Sequence, residues 1–373
     1  MKKLLMLLLV FALSFSMLAG CTPAEEPAEE PAEEPAVEEP AEEPAEEPAE
    51  EPAEAGKIAK LGLGQNISTA KSKAKADDAN AQAQADVTIA AVGFDADGKV
   101  VSVTVDVAQT RVAFDENMAV TSDKEELVKS KKELGPDYGM VKASGIGKEW
   151  FEQMEVFEEW MIGKTVDEIT GLEVMERDES HKNVPNVPEL TSSVTITVES
   201  YLAAVEEAWN NAVDATGAET VGLGIETHIN KSKDATADAG AQAQVDTYMA
   251  ATAFDAEGNV VATIIDNAQV RVAYELDGTL ATDTSVEGKT KHELKEDYGM
   301  LKASSIGKEW YEQMEAFQDW MAGKSMDDIM NLEVMERDES HQHVPADADL
   351  TSSVTITVEG YQAVVQEAYE MAK

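Results

Sequence analysis

Residues 87–107 read VTIAAVGFDADGKVVSVTVDV, which is the pattern of a β-hairpin. The run Val87–Phe94 is rich in β-branched and apolar residues and predicts a strand. Asp97-Gly98 is a turn pair. In Val100–Val107 a valine stands at every second position, which places four of them on one face of a second strand. Thr110–Phe114 is expected to be a third strand, so the segment predicts a small antiparallel sheet.

Helical periodicity follows this sheet. A helix that begins at Ser144 or Gly147 and ends at Gly163 carries large apolar residues at helical spacing. Thr165–Glu168 has the pattern of a capping box and predicts a further short helix. An apolar stripe from Val198 to Trp209 predicts a closing helix. The aromatic stripe of the middle helix is interpreted as a helix packed on the sheet, not as a cofactor site. The predicted fold class is α+β.

The chain repeats itself at a fixed offset of 160 residues: Leu61–Val213 matches Val221–Lys373. A period of this length is that of a whole domain and not of a solenoid repeat. The sequence therefore predicts two tandem copies of the sheet and its helices, as domains at 57–213 and 221–373.

The N-terminal segment has a different character. Residues 1–21 have two lysines, an apolar run and small residues before Cys21, the chain's one cysteine, which is typical of a signal peptide. The ending Leu18-Ala19-Gly20-Cys21 resembles the bacterial lipobox, which implies that Cys21 is lipidated and anchors the protein to the lipid membrane. Residues 22–56 contain fifteen Glu, recurrent Pro and no basic residue. They predict a disordered, extended Pro-Ala-Glu-Glu tether.

Charge limits the possible partners. The net charge of −45 argues against nucleic acid, which needs Lys and Arg to neutralise phosphate. One cysteine excludes an intramolecular disulfide and a cysteine-based metal site. Acidic residues around His181 and His341 allow metal ligation, but a solvated charged loop is the favoured interpretation. Asp137–Met140 places Tyr and Met beside Gly in an expected loop, where they are candidates for a lid over a flat ligand.

A hydroxyl-rich segment, Leu190–Glu199, returns letter for letter as Leu350–Glu359. Its alternation predicts a strand with Val194, Ile196 and Val198 on one face. A second interpretation is a site of attachment, because a Thr just ahead of a helix lies near unpaired backbone N–H groups and the positive end of the helix dipole. Such a position favours a phosphate group.

The pattern Asp349-x-x-Ser352-x-x-Thr355-x-Thr357 resembles the flavinylation motif of FMN-binding domains. Such domains occur in the C subunit of the sodium-pumping NADH:quinone reductase and in the lipoproteins of Gram-positive extracellular electron transfer. The resemblance implies FMN bound covalently, one per domain, by a phosphoester to Thr195 and Thr355, attached by an FAD-dependent FMN transferase. It also assigns motif positions to two further pairs of residues, which are Ser192 and Ser352, and Glu189 and Asp349.

The motif departs from the family pattern at two places. Ser193-Val194 and Ser353-Val354 stand where the family has Gly-Ala, and the first copy has Glu189 in place of an Asp. The expected function is a lipid-anchored electron carrier on the extracellular face of the cell membrane, supplied by a membrane quinone/NADH dehydrogenase. The alternative is a non-catalytic lipoprotein module that binds a small ligand or a cell-surface partner.

Overall fold

The computed structural model describes residues 56–339 and 341–372. The expected signal peptide, the lipidation site Cys21 and the tether up to residue 55 lie outside the described residues. Within the described ranges the fold is mixed α/β, with antiparallel sheets and eight helices. No helix in this part of the chain is both long and apolar enough to cross a membrane.

Each repeat begins with a three-stranded antiparallel meander. In the first repeat the strands are β1 (Lys60–Ser68), β2 (Gln82–Phe94) and β3 (Val100–Ala113), with β2 in the centre. The predicted hairpin is confirmed, and Gly98 in its turn has a φ of 80°. The separate third strand at Thr110–Phe114 is wrong. Residues up to Ala113 remain paired with β2 without a break, so they belong to β3.

The rest of the first repeat consists of helices and two-residue strands. These are α1 (Lys131–Leu134), α2 (Trp150–Met161), α3 (Val166–Thr170), β4 (Val174–Met175), β5 (Val184–Pro185), α4 (Glu199–Asn210) and β6 (Val213–Asp214). A 3₁₀ turn spans Gly135–Tyr138. The middle helix begins later than either predicted start, because Glu149 is its N-cap and forms a capping box with Glu152. The predicted capping box at Thr165 and Glu168 is confirmed.

The second repeat has the same order of elements. These are β7 (Thr220–His228), β8 (Gln242–Phe254), β9 (Val260–Ala273), α5 (Lys291–Leu294), α6 (Trp310–Met321), α7 (Met326–Met330), β10 (Val334–Met335), β11 (Val344–Pro345) and α8 (Glu359–Met371). A 3₁₀ turn spans Lys295–Tyr298.

One face of each sheet is covered by the helices of its own repeat. In the first repeat Trp150, Met154 and Phe157 of α2 are buried against valines of β3. Helix α4 lies directly on β1, where Gly62 and Gly64 face its backbone. A Cβ on Gly64 would stand 2.0 Å from the carbonyl oxygen of Ala204, so only glycine permits this approach.

The opposite faces of the two sheets pack against each other and form one shared core. Its largest β1 and β7 members are Leu61, Leu63, Ile67, Val221, Leu223 and Ile225. The rings of Phe114 and Tyr274, which are equivalent positions in the two repeats, meet edge to face with centroids 5.1 Å apart. The two repeats are thus joined by an extensive apolar interface.

This interface has approximate two-fold symmetry. The amide of Val128 donates to the carbonyl of Thr227 at 3.0 Å, and the amide of Gly288 donates to the carbonyl of Ile67 at 3.0 Å. The second bond is the first with the repeats exchanged, because Gly288 corresponds to Val128 and Ile67 to Thr227. The interface is therefore isologous, as in a symmetric dimer.

The hydroxyl-rich segments are not strands. Residues 190–198 and 350–358, called the hydroxyl loops below, form a turn followed by irregular chain. Leu190, Val194 and Val198 are fully buried, with a spacing of four residues instead of two. The Leu190 carbonyl accepts from the amides of both Ser193 and Val194, which closes the turn. Alternation in the sequence misleads here because local turn bonds take the place of strand pairing.

Candidate functional site

A cavity of about 300 Å³ lies between the sheet of the first repeat, its 3₁₀ turn and its hydroxyl loop. Ile196 and Thr197 of that loop line it, and His181 and Ser180 line it from the β4–β5 connection. Tyr138 and Met140, from the segment expected to be a lid, line another wall. The structure therefore brings together segments that are some 60 residues apart in the sequence. The volume of the cavity is typical of small-molecule sites.

The floor of this cavity is aromatic. The Trp150 indole N–H donates to the Tyr201 hydroxyl at 2.9 Å, and the two rings meet edge to face. Both side chains are nearly fully buried. Trp150 and Tyr201 are thus held at a fixed angle where they line the cavity together with Tyr138.

Lysines provide positive charge within this aromatic cavity. The buried Lys131 ammonium lies 5.0 Å from the ring centres of both Tyr138 and Trp150. Burial lowers the pKa of Lys131 to about 8. Lys71, paired with Asp86 at 2.9 Å, also lines the cavity. Because Asp86 also lines the cavity and balances Lys71, Lys131 is the cation left to attract an anionic ligand there.

Thr195 is held next to this cavity by a glutamine of α2. The Gln153 side-chain oxygen accepts from the Thr195 amide at 2.9 Å and from its hydroxyl at 3.3 Å. Gln153 is fully buried, whereas Thr195 is half-buried. Thr355 makes the same two bonds to Gln313. The hydroxyl thus lies on a glutamine and not on the first turn of α4, which differs from the expected helix-terminus position.

An arginine, which the sequence analysis did not assign a role, lies beside each candidate threonine. The Arg177 guanidinium donates to the Thr195 carbonyl at 2.7 Å and pairs with Asp178 at 3.1 Å. His181 bonds to the same carboxylate at 2.7 Å, and this bond holds the pKa of Asp178 low, at about 2. Arg337 makes the same contact with Thr355. Only the packing of the β4–β5 connection against the hydroxyl loop brings this arginine to the threonine.

The other motif residues lie elsewhere. Glu189 and Ser192 are exposed on the turn that opens the first hydroxyl loop, and Asp349 and Ser352 are exposed on the second. The structure places these four side chains at the surface and not in the walls of either cavity. In the described residues no cluster of three or more His, Cys, Asp or Glu has the geometry of a metal site.

The second repeat has a cavity of about 470 Å³ on the same face of its sheet. Lys231, Asp246 and Thr357 line it, as their equivalents line the first cavity. It extends toward Glu226 and His228 at the end of β7. The buried Thr357 hydroxyl has no hydrogen-bond partner among the described residues.

The lining of the first cavity bears on the flavin that the sequence resemblance implies. A flat ring system would suit the first cavity, which aromatic side chains line and whose volume is about 300 Å³. The Arg177 guanidinium, which bonds the Thr195 carbonyl, is a group that suits phosphate. Lysines in the cavity suit the negative charge that a reduced flavin carries. The unpartnered Thr357 hydroxyl is also consistent with a ligand in the second cavity.

Comparison with known proteins adds little. No family model matches the chain, and no solved structure matches it. A chlorophenol reductase of Desulfitobacterium hafniense is 52% identical over 40 residues, which are 11% of this chain and 12% of that protein. The chain thus spans about an eighth of the length of that relative. A match of this length carries no statement about activity.

Proposed function

We propose that this protein is an electron carrier that bears FMN on Thr195 and Thr355, each linked through a phosphoester. The observation that supports the proposal is that each threonine carbonyl accepts a hydrogen bond from an arginine, while residues within two positions after each threonine line a cavity. In the first repeat Arg177 donates to the Thr195 carbonyl, and the next two residues, Ile196 and Thr197, line a cavity that aromatic residues and two lysines also line. When bound, a flavin supplies one- and two-electron redox chemistry. The chain supplies attachment, orientation and local charge.

Each residue has a distinct part in this proposal. Gln153 accepts the hydrogen bond of the Thr195 hydroxyl and so orients the oxygen lone pairs away from the protein interior. An FAD-dependent FMN transferase would form the bond from this oxygen to phosphorus, with AMP leaving. Arg177 would then neutralise phosphate charge, and Lys131 and Lys71 line the cavity that would take the ring.

The cellular setting belongs to the same proposal. The lipobox-like ending at Cys21 supports a lipid anchor on the extracellular face of the cell membrane. The proline- and glutamate-rich segment that follows supports a spacer, and a membrane quinone/NADH dehydrogenase is the proposed electron donor. Covalent attachment suits such a location, because a dissociated cofactor would be lost from the cell.

The test is expression of the chain with an FAD-dependent FMN transferase. The denatured protein should fluoresce as flavin on a gel, and its intact mass should increase by two FMN groups. Thr195→Val and Thr355→Val should each remove one group, and the double variant should remove both. Thr191→Val and Thr351→Val are matched controls, because these exposed hydroxyls lie in the same loops. Intact mass without any FMN refutes the carrier.

The alternative, a non-catalytic module for a small ligand, is favoured by one observation. The Trp150–Tyr201 hydrogen bond, which joins two residues that line the cavity of about 300 Å³, involves neither candidate threonine. A module of this kind would bind its ligand equally well in the wild type and in the Thr195→Val, Thr355→Val double variant. Equal binding together with an unmodified mass would decide for this alternative.

A further inference from the structure

The two cavities lie on the same face of their sheets, but their linings carry opposite charge. The first cavity is lined by two lysines and one carboxylate, which are Lys71, Lys131 and Asp86. The second is lined by one lysine and three carboxylates, which are Lys231, Glu226, Asp246 and Glu359. Each lining also has one histidine, so protonation of both histidines would leave the difference unchanged. The first lining is therefore net positive and the second net negative.

This difference has one source in the sequence and another in the packing. Glu226 stands where the first repeat has Asn66, which adds a carboxylate near the end of β7. Lys131 and Lys291 are equivalent residues, and each is buried beside two aromatic rings. Lys131 lines the first cavity, whereas Lys291 is not part of the described lining of the second. The buried lysine thus contributes its charge to one cavity and not to the other.

The Lys131 ammonium has no partner of opposite charge in contact with it. It lies 5.0 Å from the ring centres of Tyr138 and Trp150, and no described residue accepts a hydrogen bond from it. Lys71, in contrast, is paired with Asp86 at 2.9 Å. Lys131 is 8% exposed, and a lysine buried to this extent is normally paired. An unpaired ammonium in a cavity wall points to an anionic ligand that supplies the partner.

We propose that the first cavity favours an anionic flat ligand through Lys131 and that the second does not, so the two sites differ in reduction potential. The choice of a flavin as this ligand rests on the proposed function, and the reduced ring is the form that carries negative charge. A net positive lining stabilises that form, and a net negative lining opposes it. The first site is then the stronger electron acceptor, and it is reduced before the second by a common donor.

Riboflavin tests the two cavities without covalent attachment, because it has the ring without the phosphate. It is titrated into the full chain made without transferase, once in the oxidised form and once in the reduced form. Lys131→Met should weaken the binding of reduced riboflavin at one site about tenfold and change the binding of oxidised riboflavin less than about twofold. Lys291→Met is the matched control and should change neither, since Lys291 has the same aromatic neighbours but does not line the second cavity.

The comparison of the two forms separates an effect of charge from an effect of structure. Equal weakening of both forms by Lys131→Met would mean that the lysine maintains the shape of the cavity, and this result would overturn the proposal. Unchanged binding of the reduced form, or a chain that binds neither form, would overturn it as well. The same loss in Lys291→Met would assign the effect to the aromatic setting and not to the lining of the first cavity.

Reduction potentials of the loaded protein provide a second readout. In Thr195→Val only the second site carries FMN, and in Thr355→Val only the first. The first site should favour the reduced form about tenfold more than the second, which is about 30 mV for a two-electron couple. Lys131→Met should lower the potential of the first site, and Glu226→Asn, which introduces the residue of the first repeat, should raise that of the second. Equal potentials in the two single-site variants would contradict the proposal.

Intact mass separates this proposal from the function on which it rests. A chain without FMN after expression with the transferase refutes covalent attachment. The riboflavin comparison stands in that case, because it needs neither the transferase nor the threonines.

Discussion

Arg177 and Arg337 distinguish the candidate threonines from the other hydroxyls of their loops. Each guanidinium donates to the carbonyl of the threonine at 2.7 Å, and each is held in place by an aspartate that also bonds a histidine. Arg177 is about one third exposed, so it remains available to a group on the threonine. An arginine in this position suits a phosphate better than a lysine would, because its planar donors bind two oxygens at once.

Arg177→Gln is expected to reduce flavin loading at Thr195 about tenfold, because the phosphate loses its cation. Loading at Thr355 should remain unchanged, since Arg337 serves the second site. Intact mass of the Thr355→Val background, with and without Arg177→Gln, measures the effect. The exposed neighbour substitution Glu176→Gln is the control. Full loading of Arg177→Gln at limiting transferase would show that the arginine has no part in attachment.

At the scale of elements, the close approach of α4 to β1 depends on glycine. Gly62 and Gly64 alternate with buried leucines along β1, and their missing side chains admit the backbone of α4. Helix α8 approaches β7 at Gly222 and Gly224 in the same way. Since α4 follows the hydroxyl loop directly, the position of the loop depends on this contact.

Gly64→Ala should lower the free energy of unfolding by about 3 kcal/mol or more, because the added Cβ would meet backbone atoms that cannot move aside. Gly145→Ala is the matched control, with no heavy atom within 4 Å of its added Cβ. It should change stability by about 0.5 kcal/mol or less. Urea unfolding measures both. Equal stability of the two variants would mean that α4 shifts outward at little cost.

The elements show what the sequence could reveal. The hairpin at 87–107, the helix ending at Gly163 and the capping box at Thr165 were predictable, because each depends on neighbouring residues. Strand β1 was not predicted, because glycines such as Gly62 and Gly64 are typical of loops. Their role, which is to admit the backbone of α4, depends on tertiary packing. Arg177 and Gln153 were not recognised either, because tertiary packing brings them to Thr195 from 18 and 42 residues away.

At the scale of the whole molecule, the interface between the repeats concentrates negative charge. Glu207 accepts from the Gln65 amide and side chain, and burial raises its pKa to about 7 despite these bonds. Glu293, Asp266 and Glu287 of the other repeat add to the increase. Burial likewise raises the pKa of Glu367 to about 7. Both carboxyl groups therefore bind protons more tightly in the folded chain than in the unfolded one.

The stability of the chain should consequently fall between about pH 5 and pH 8. A raised carboxyl pKa contributes stability that is complete below the usual value of 4.5 and is lost as the pH rises through 7. After allowance for partial exposure, each group contributes about 1–2 kcal/mol. The double variant Glu207→Gln, Glu367→Gln should flatten this dependence in urea titrations at several pH values. Glu206→Gln, on the same helix but exposed, should not. An unchanged slope in the double variant would exclude these groups as the cause.

The isologous interface also has a genetic consequence. In a dimer of identical chains, every mutation appears twice, so a change that improves one site alters the other at the same time. Here both halves are encoded separately within one reading frame, while the shared core keeps their geometry matched. Tyr248, Asn267 and Gly360 stand in one half at the positions where the other half has Thr88, Val107 and Ser200. Duplication followed by fusion thus lets a single polypeptide specialise its two sites independently.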